Sequence, residues 1–190
     1  MQHLYSCIEG WFDFEEVYER MVDTFVDKAR FVEVGSWKGK SAAFLAEKII
    51  TSEKNIKVDC VDTWEGSAEH TNPNSAWYEE QIVNNPNYLY FEFIKNTRPV
   101  EDVITPIKAS SKEAAEIYED RSLDFVFLDA SHDYENVLID LTIWYPKIKK
   151  GGYIGGHDYG GENFAGVDEA VNEFFKYNVE AIGNSFLRRK

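Results

Sequence analysis

The chain has 190 residues, of which 44% are apolar and 15% aromatic, so it can bury one sizeable core and is not a disordered chain. We therefore predict a single domain over residues 1–190. Its 34 Asp and Glu residues outnumber 20 Lys and Arg, which gives a formal net charge of −14. This charge disfavours a nucleic-acid partner, because such binding depends on basic residues that neutralise phosphates.

Helix and strand signals alternate along most of the chain. Apolar residues recur at helical spacing over 14–26 and predict an N-terminal amphipathic helix within 12–27. The elements predicted after it are a strand at 30–34, a helix at 40–50, a strand at 56–61, a strand at 103–108, a helix at 111–119, a strand at 123–128, a helix at 135–145, a strand at 153–156, a helix at 166–176 and one or two closing strands within 179–188. This alternation predicts an α/β fold with a doubly wound, mostly parallel sheet of about seven strands.

Residues 63–100 interrupt the alternation. The segment is rich in Asn, Pro, Trp and Tyr, and it is long for a connection in a compact domain. Long connections of this kind are usually binding loops or lids. We therefore predict that 63–100 is an insertion that forms a partial lid over the ligand site.

The first strand runs into VEVGSWKGKS, residues 32–41, at the edge of the sheet where ligands of such folds bind. Its GKS ending resembles a phosphate loop, but the first glycine of that motif would fall on Val34. A dinucleotide loop would need glycine where Trp37 stands, because the backbone there must approach a pyrophosphate. The loop therefore favours a ligand of another kind.

Acidic residues at two strand ends indicate what that ligand carries. Glu33 lies near the end of the first strand, where a carboxylate can face an ammonium or sulfonium cation. Asp62 ends the second strand, where it can accept hydrogen bonds from both hydroxyls of a ribose. Gly35 and Gly39 let the backbone close over the ligand. A ligand with a ribose and an amino-acid tail fits this pattern best.

Four stretches, in this order, resemble the class I S-adenosylmethionine-dependent methyltransferases. They are FVEVGSWKGKS at 31–41, VDCVDTWEGS at 58–67, FLDASHDYENV at 127–137 and KKGGYIGGHDY at 149–159, and the resemblance covers about 28–176. It implies that the cofactor is S-adenosylmethionine. The residues expected to contact this cofactor are Glu33, Gly35, Ser36, Gly39, Ser41, Asp62, Thr63, Trp64, Ser110 and Asp129.

The later strand ends carry a second group of polar residues. Asp129 and His132 follow one apolar strand, and His157 and Asp158 follow the next. Carboxylates and imidazoles that converge at neighbouring strand ends can hold a divalent cation. Oxygen ligands favour Mg²⁺ or Mn²⁺ over zinc.

This second group resembles the metal-dependent O-methyltransferases, most closely the branch that acts on sugar hydroxyls of macrolide antibiotics. The resemblance implies that Asp129 and Asp158 are metal ligands and that His132 is the general base. A cation lowers the pKa of the hydroxyl that it binds, and a neutral imidazole can then take the proton. His157 stands where these relatives carry an acid. We include it among the predicted ligands and leave the identity and the requirement of the metal open.

The predicted function is transfer of a methyl group from S-adenosylmethionine to a hydroxyl of a small molecule, with a sugar or glycan precursor as the suspected acceptor. A metal-independent small-molecule methyltransferase and a non-catalytic S-adenosylmethionine-binding domain are the alternatives. Neither a nucleic-acid nor a membrane partner is expected, and homodimer formation is left open. Two cysteines without paired spacing, and no leader-like start, predict a cytoplasmic protein.

Overall fold

The computed structural model describes residues 3–26, 28–161 and 163–190, in which strands and helices alternate. The strands are β1 Arg30–Val34, β2 Lys57–Asp62, β3 Ile104–Lys108, β4 Leu123–Leu128, β5 Ile148–Gly156, β6 Glu180–Ile182 and β7 Ser185–Arg189. The α-helices are α1 Glu15–Thr24, α2 Lys40–Thr51, α3 Ala68–Thr71, α4 Glu80–Asn84, α5 Tyr88–Thr97, α6 Ser111–Ala115, α7 Tyr134–Trp144 and α8 Ala165–Phe175. Within the described ranges, no helix has the length and apolar character needed to span a membrane.

These strands form one sheet in the order β3-β2-β1-β4-β5-β7-β6. The five strands β1 to β5 are parallel, and β7 runs antiparallel to both β5 and β6. The predicted doubly wound, mostly parallel sheet of seven strands is therefore confirmed. β1 lies between β2 and β4, so the order of the strands reverses at β1. In folds of this type the ligand binds outside the carboxyl ends of the strands at this reversal.

The central strands are buried on both faces, which explains their almost continuous apolar sequences. Along β4, Phe125 and Phe127 belong to the core that also contains side chains of α1, α2 and α5. Val126 and Leu128 belong to the opposite core, which contains side chains of α6, α7 and α8. Successive strand residues point to opposite faces, so one apolar run supplies both cores. The polar residues that follow each strand come out at the edge of the sheet.

Some observed bounds differ from the predicted ones. The strand predicted at 153–156 begins at Ile148, because Ile148 already pairs with β4 across a register shift. The N-terminal helix ends at Thr24, and Val26, counted with its apolar face, is exposed beyond the helix. Asp27, the last residue of the predicted helical segment, lies outside the described residues.

The segment 63–100 contains three α-helices, α3 to α5, and a short 3-10 helix at Arg98–Val100, where the sequence showed only weak periodicity. Leu89 and Phe93 of α5 are buried in the core that also includes α2. The side-chain amide of Asn96 donates to the backbone oxygen of Lys38 over 2.9 Å. The end of the segment is thereby fixed to the loop after β1, and its action as a lid stays a prediction.

Candidate active site

The loop after β1, called the first loop below and spanning residues 35–39, turns at two glycines. Gly35 has φ +92°, and a Cβ atom there would lie 2.0 Å from the backbone oxygen of Asp129. Gly39 has φ +88°, and a Cβ atom there would lie 2.7 Å from Cγ2 of Thr97. Only glycine adopts these backbone conformations readily and leaves the space that the neighbouring atoms occupy. The first loop is therefore packed directly against the end of β4 and against α5.

Asp62, at the end of β2, fixes the first loop in place. Its Oδ2 accepts hydrogen bonds from the backbone N–H groups of Ser36, at 3.0 Å, and Trp37, at 2.9 Å. Its Oδ1 accepts one from the N–H of Trp64 at 2.7 Å. Burial raises the pKa of Asp62, and these N–H groups oppose the rise by stabilising the carboxylate. The structure thus adds a positioning role to Asp62, whose contact with a ribose stays a prediction.

Glu33 is buried beneath the first loop and is held by hydroxyl groups. Oε1 accepts a hydrogen bond from the Tyr18 hydroxyl, and Oε2 accepts one from the Ser36 hydroxyl, each over 2.6 Å. Burial raises the pKa of Glu33, while hydrogen bonds from Ser36, Tyr18 and Ser41 lower it. Two further predicted cofactor residues, Ser36 and Ser41, therefore both contact Glu33.

The remaining predicted cofactor residues lie at the ends of β2 and β3. The indole of Trp64 is buried, packs against Phe93 and donates to the backbone oxygen of Trp37 over 2.8 Å. Ser110 caps α6 in a capping box with Glu113. Thr63 is half-buried directly after β2. The side chain of Trp64 serves the core, so a cofactor contact there would have to come from its backbone.

The second predicted group does come together in the structure. One donor atom each from Asp129, His132 and Asp158 lies within 4.8 Å of the other two. Nε2 of His132 is 3.0 Å from Oδ2 of Asp158. Asp158 also has φ +59°, a conformation that costs energy in a residue other than glycine. Strained residues of this kind cluster at functional sites, where the surrounding fold maintains them.

His157 sits between the carboxylates of this group. Its Nδ1 is 3.4 Å from Oδ2 of Asp158 and 3.5 Å from Oδ1 of Asp129, and its Nε2 is 2.6 Å from Oδ1 of Asp13. Burial would lower the pKa of His157, but the hydrogen bonds and charges of Asp129 and Asp158 outweigh burial and raise it to about 11. His157 is therefore a cation that partly neutralises these acids. Its role as a metal ligand stays a prediction, and that role would require the loss of this proton.

The electrostatics of the two carboxylates differ. Burial raises the pKa of Asp129, and a hydrogen bond with His157 opposes the rise. Burial also acts to raise the pKa of Asp158, but hydrogen bonds with His132 and His157 hold it well below its usual range. Asp158 is thus firmly ionised. Two carboxylate oxygens and one imidazole nitrogen at this spacing form a donor set that suits Mn²⁺ and, less well, Mg²⁺.

Sequence reasoning missed Asp13. Its carboxylate accepts from His157 and, over 3.2 Å, from the side-chain amide of Asn184. Asp13 and His157 are 144 positions apart in the chain, and Asp13 belongs to no motif. A contact between such distant residues leaves no signal in one sequence. The contact brings the N-terminal segment to the ends of β4 and β5.

Comparison with known proteins adds a family match. The family model described as a methyltransferase domain matches residues 32–159. The match begins within β1 and ends directly after β5, so it includes the first loop and the Asp129, His132, His157 and Asp158 group.

Individual relatives are more distant. The uncharacterized protein y4gI of Sinorhizobium fredii (strain NBRC 101917 / NGR234) is 26% identical over 129 residues, which are 68% of this chain and only 13% of that protein. The structure of the O-methyltransferase NovP has a TM-score of 0.67 at 20% identity and covers 93% of this chain and 78% of its own. CalS11, a TDP-rhamnose 3'-O-methyltransferase of calicheamicin biosynthesis, has a TM-score of 0.62 at 13% identity, with coverages of 92% and 76%. At these identities the solved structures show the fold.

Proposed function

The chain belongs to the methyltransferase-domain family, and from this premise we propose that it transfers the methyl group of S-adenosylmethionine to a hydroxyl of a small, sugar-like acceptor. S-adenosylmethionine is the cofactor of this family, so the finer parts of the proposal are the hydroxyl, the acceptor and the residues that act on them. The chain spans a small part of its curated relative, and the activity of the whole protein is part of the proposal.

The position of Asp129 carries the proposal. Its backbone oxygen lies against Gly35 of the first loop, and its side chain belongs to the group that includes His132 and Asp158. A cofactor held by the first loop would therefore lie next to a set of groups that can bind and deprotonate an acceptor. Methyl transfer needs mainly this juxtaposition, because the reacting atoms must be aligned and close.

His132 is the proposed general base. In the proposed reaction His132 starts as a neutral imidazole whose Nε2–H donates to Asp158, 3.0 Å away, and whose Nδ1 takes the proton of the acceptor. The acceptor oxygen forms a bond to the methyl carbon while the bond from that carbon to the sulfonium sulfur breaks. The hydroxyl proton moves to Nδ1, and the sulfur leaves as a neutral thioether. Asp158 stabilises the imidazolium that results.

A divalent cation would be held by Asp129 and Asp158, with the imidazole of His157 as the nitrogen ligand once it has lost its proton, so that His132 remains the base. When bound, it would lower the pKa of the acceptor hydroxyl and orient it. A metal-independent reaction is the second candidate, and one observation favours it. His157 already places a positive charge between the two carboxylates.

A sugar hydroxyl as acceptor is supported by the fold that the chain shares with CalS11, a TDP-rhamnose 3'-O-methyltransferase. The same proposal includes a single domain over residues 1–190, in which residues 63–100 form a partial lid over the site. Cytoplasmic location, the absence of a nucleic-acid or membrane partner, and homodimer formation stay predictions.

Transfer of a labelled methyl group from S-adenosylmethionine to a panel of glycosides and sugar nucleotides tests the function. We expect label in an O-methyl product, and a parallel series with chelator decides between the metal-dependent and metal-independent reactions. Binding of the cofactor without transfer to any hydroxyl compound would instead support the non-catalytic alternative.

A further inference from the structure

Two exposed tryptophans face each other on segments that flank the first loop. Trp11 is 58% exposed and Trp77 is 51% exposed, and their ring centroids are 5.0 Å apart in an edge-to-face arrangement. Trp64 and Trp144, by contrast, are buried. A tryptophan offers a large apolar surface, so two that remain accessible side by side indicate a binding surface.

Ion pairs hold the two segments that carry these tryptophans against the first loop. The ammonium of Lys38 lies 3.0 Å from Oε2 of Glu9 and 2.8 Å from Oε2 of Glu79, and the Lys38 side chain is only 3% exposed. Glu9 and Glu79 each lie two residues from a tryptophan of the pair. A buried cation that joins two acids from distant segments fixes where those segments lie. The pair is therefore part of the fold and not a chance surface contact.

The N-terminal segment also connects this pair to the reactive group. Asp13, which accepts from His157, lies two residues after Trp11. Two residues of extended chain span at most about 7 Å. Trp11 thus lies along the chain between Glu9, which contacts Lys38 of the first loop, and Asp13, which contacts His157 beside Asp129 and Asp158.

We propose that Trp11 and Trp77 form the surface on which the sugar ring of a neutral acceptor lies during methyl transfer. This inference rests on the proposed function and names the acceptor-binding residues. The C–H face of a sugar ring packs well against an indole, and carboxylates accept hydrogen bonds from sugar hydroxyls. Glu9 and Asp13, beside Trp11, have side chains that are 78% and 56% exposed.

The charges around the pair have both signs. Glu9 and Glu79 are paired with Lys38, Asp13 is paired with His157, and the ammonium of Lys40 donates to the backbone oxygen of Gly10. The preference for a neutral acceptor therefore rests on the whole chain, whose formal net charge of −14 disfavours an acceptor that carries a phosphate or carboxylate.

Saturation-transfer NMR with methyl rhamnoside, in the presence of S-adenosylhomocysteine, tests the proposal without turnover. We expect saturation of the sugar ring protons by the wild-type protein, and a loss of signal in the Trp11→Leu/Trp77→Leu double variant. Leucine keeps an apolar side chain but removes the indole face. Phe91→Ala, which removes an aromatic ring exposed on α5, is the matched control and should bind as the wild type does.

Turnover adds a second readout where transfer to this sugar is observed. Each single leucine substitution should raise KM for the glycoside about 3–10-fold, from the usual worth of one aromatic contact, with the affinity for S-adenosylhomocysteine unchanged. Rhamnose 1-phosphate should bind more weakly than methyl rhamnoside, because of the negative net charge of the chain.

Three results would overturn the proposal. They are equal glycoside binding by the double variant and the wild type, tighter binding of the phosphate, and sedimentation showing a dimer that the double variant dissociates. The last would mean that a second copy of the chain covers the pair. Glycoside binding that depends on both tryptophans, without methyl transfer, would uphold this binding surface and contradict the proposed function.

Discussion

The two ends of the candidate site are built in different ways. At the β1 and β2 end, Asp62 is satisfied by backbone N–H groups and Glu33 by hydroxyls. At the β4 and β5 end, Asp129 and Asp158 lie against each other and depend on the imidazoles of His132 and His157. At the first end the two acids are held by hydrogen bonds that support the first loop. At the second end, carboxylates and imidazoles lie close together, and such groups can exchange protons with a substrate. We therefore propose that the first end positions the cofactor and that proton transfer takes place at the second.

The largest effect is expected where the two ends touch. Gly35→Ala places a Cβ atom 2.0 Å from the backbone oxygen of Asp129, at a φ of +92°. We expect the free energy of unfolding to fall by more than about 4 kcal/mol, because both the strain and the clash involve backbone atoms. Denaturant unfolding measures this loss.

Gly160→Ala is the matched control. Gly160 also has a positive φ, +81°, but apart from its chain neighbours no atom of the described residues lies within 4 Å of the added Cβ. It should lose only about 1–2 kcal/mol, the cost of the left-handed conformation alone. Equal losses in the two variants would show that the contact between the first loop and β4 is unimportant.

His132→Gln should separate chemistry from cofactor binding. The amide keeps a polar side chain but cannot take the proton, so kcat should fall roughly 10²–10⁴-fold. The affinity for S-adenosylhomocysteine should change little, since the first loop and Asp62 are untouched. Steady-state kinetics and calorimetry measure the two quantities. A parallel loss of both would contradict the division between the two ends.

Asp140, on α7, shows what burial does to an acid with few partners. Its Oδ1 accepts one hydrogen bond from the Ser111 hydroxyl, and burial raises its pKa from 3.8 to about 6. The folded state thus favours the protonated form. The stability that this proton contributes is present below pH 3.8 and is lost as the pH rises through about 6.

Asp140→Asn resembles the protonated acid at every pH. Relative to the wild type it should gain about 2–3 kcal/mol at pH 8 and nearly nothing at pH 4, from a shift of about two pKa units. Urea unfolding at the two pH values measures the difference. A gain of the same size at both would mean that ionisation of Asp140 is not the cause.

Asp62→Asn should have the smallest effect on turnover at saturating cofactor. The amide loses one acceptor oxygen, so either the N–H of Trp64 or the N–H groups of both Ser36 and Trp37 lose their partner. We expect the affinity for S-adenosylhomocysteine to fall about tenfold, which corresponds to about 1.4 kcal/mol, and kcat to stay within about threefold. Calorimetry is the measurement.

Asp59→Asn in the same strand is the control for Asp62→Asn. Asp59 is buried and accepts from Arg30 and Tyr118, outside the candidate cofactor residues. Loss of this carboxylate should lower the free energy of unfolding and leave the affinity for S-adenosylhomocysteine unchanged. If Asp62→Asn leaves the affinity for S-adenosylhomocysteine unchanged, Asp62 is not the residue that holds the first loop in its cofactor-binding conformation.

The fold was largely predictable in segments where apolar residues show one clear helix or strand pattern. The strand at 30–34 was predicted with its observed bounds, because an apolar run stops at Gly35. In 63–100, α3 and α4 have only four and five residues, too few to establish a helical period. In α5, YLYFEFIKNT, apolar and aromatic residues lie on most sides of the helix. Its sequence therefore has no clear helical period and fits a strand as well as a helix.

The site was predictable where the fold alone brings residues together. Asp129, His132 and Asp158 directly follow neighbouring parallel strands, and the structure places their donor atoms within reach of each other. The contact between Asp13 and His157 and the ion pairs of Lys38 depend on how the N-terminal segment lies across the sheet. Such a path is set by tertiary packing, for which one sequence carries no periodic signal.

A crystal structure of the protein with S-adenosylhomocysteine tests the central division most directly. We predict that the amino-acid tail lies against Gly35 and Gly39, that the adenosine lies between Asp62 and Ser110, and that the sulfur points toward Asp129 and His132. Adenosine bound at the β4 and β5 end, or a sulfur turned away from His132, would contradict the account.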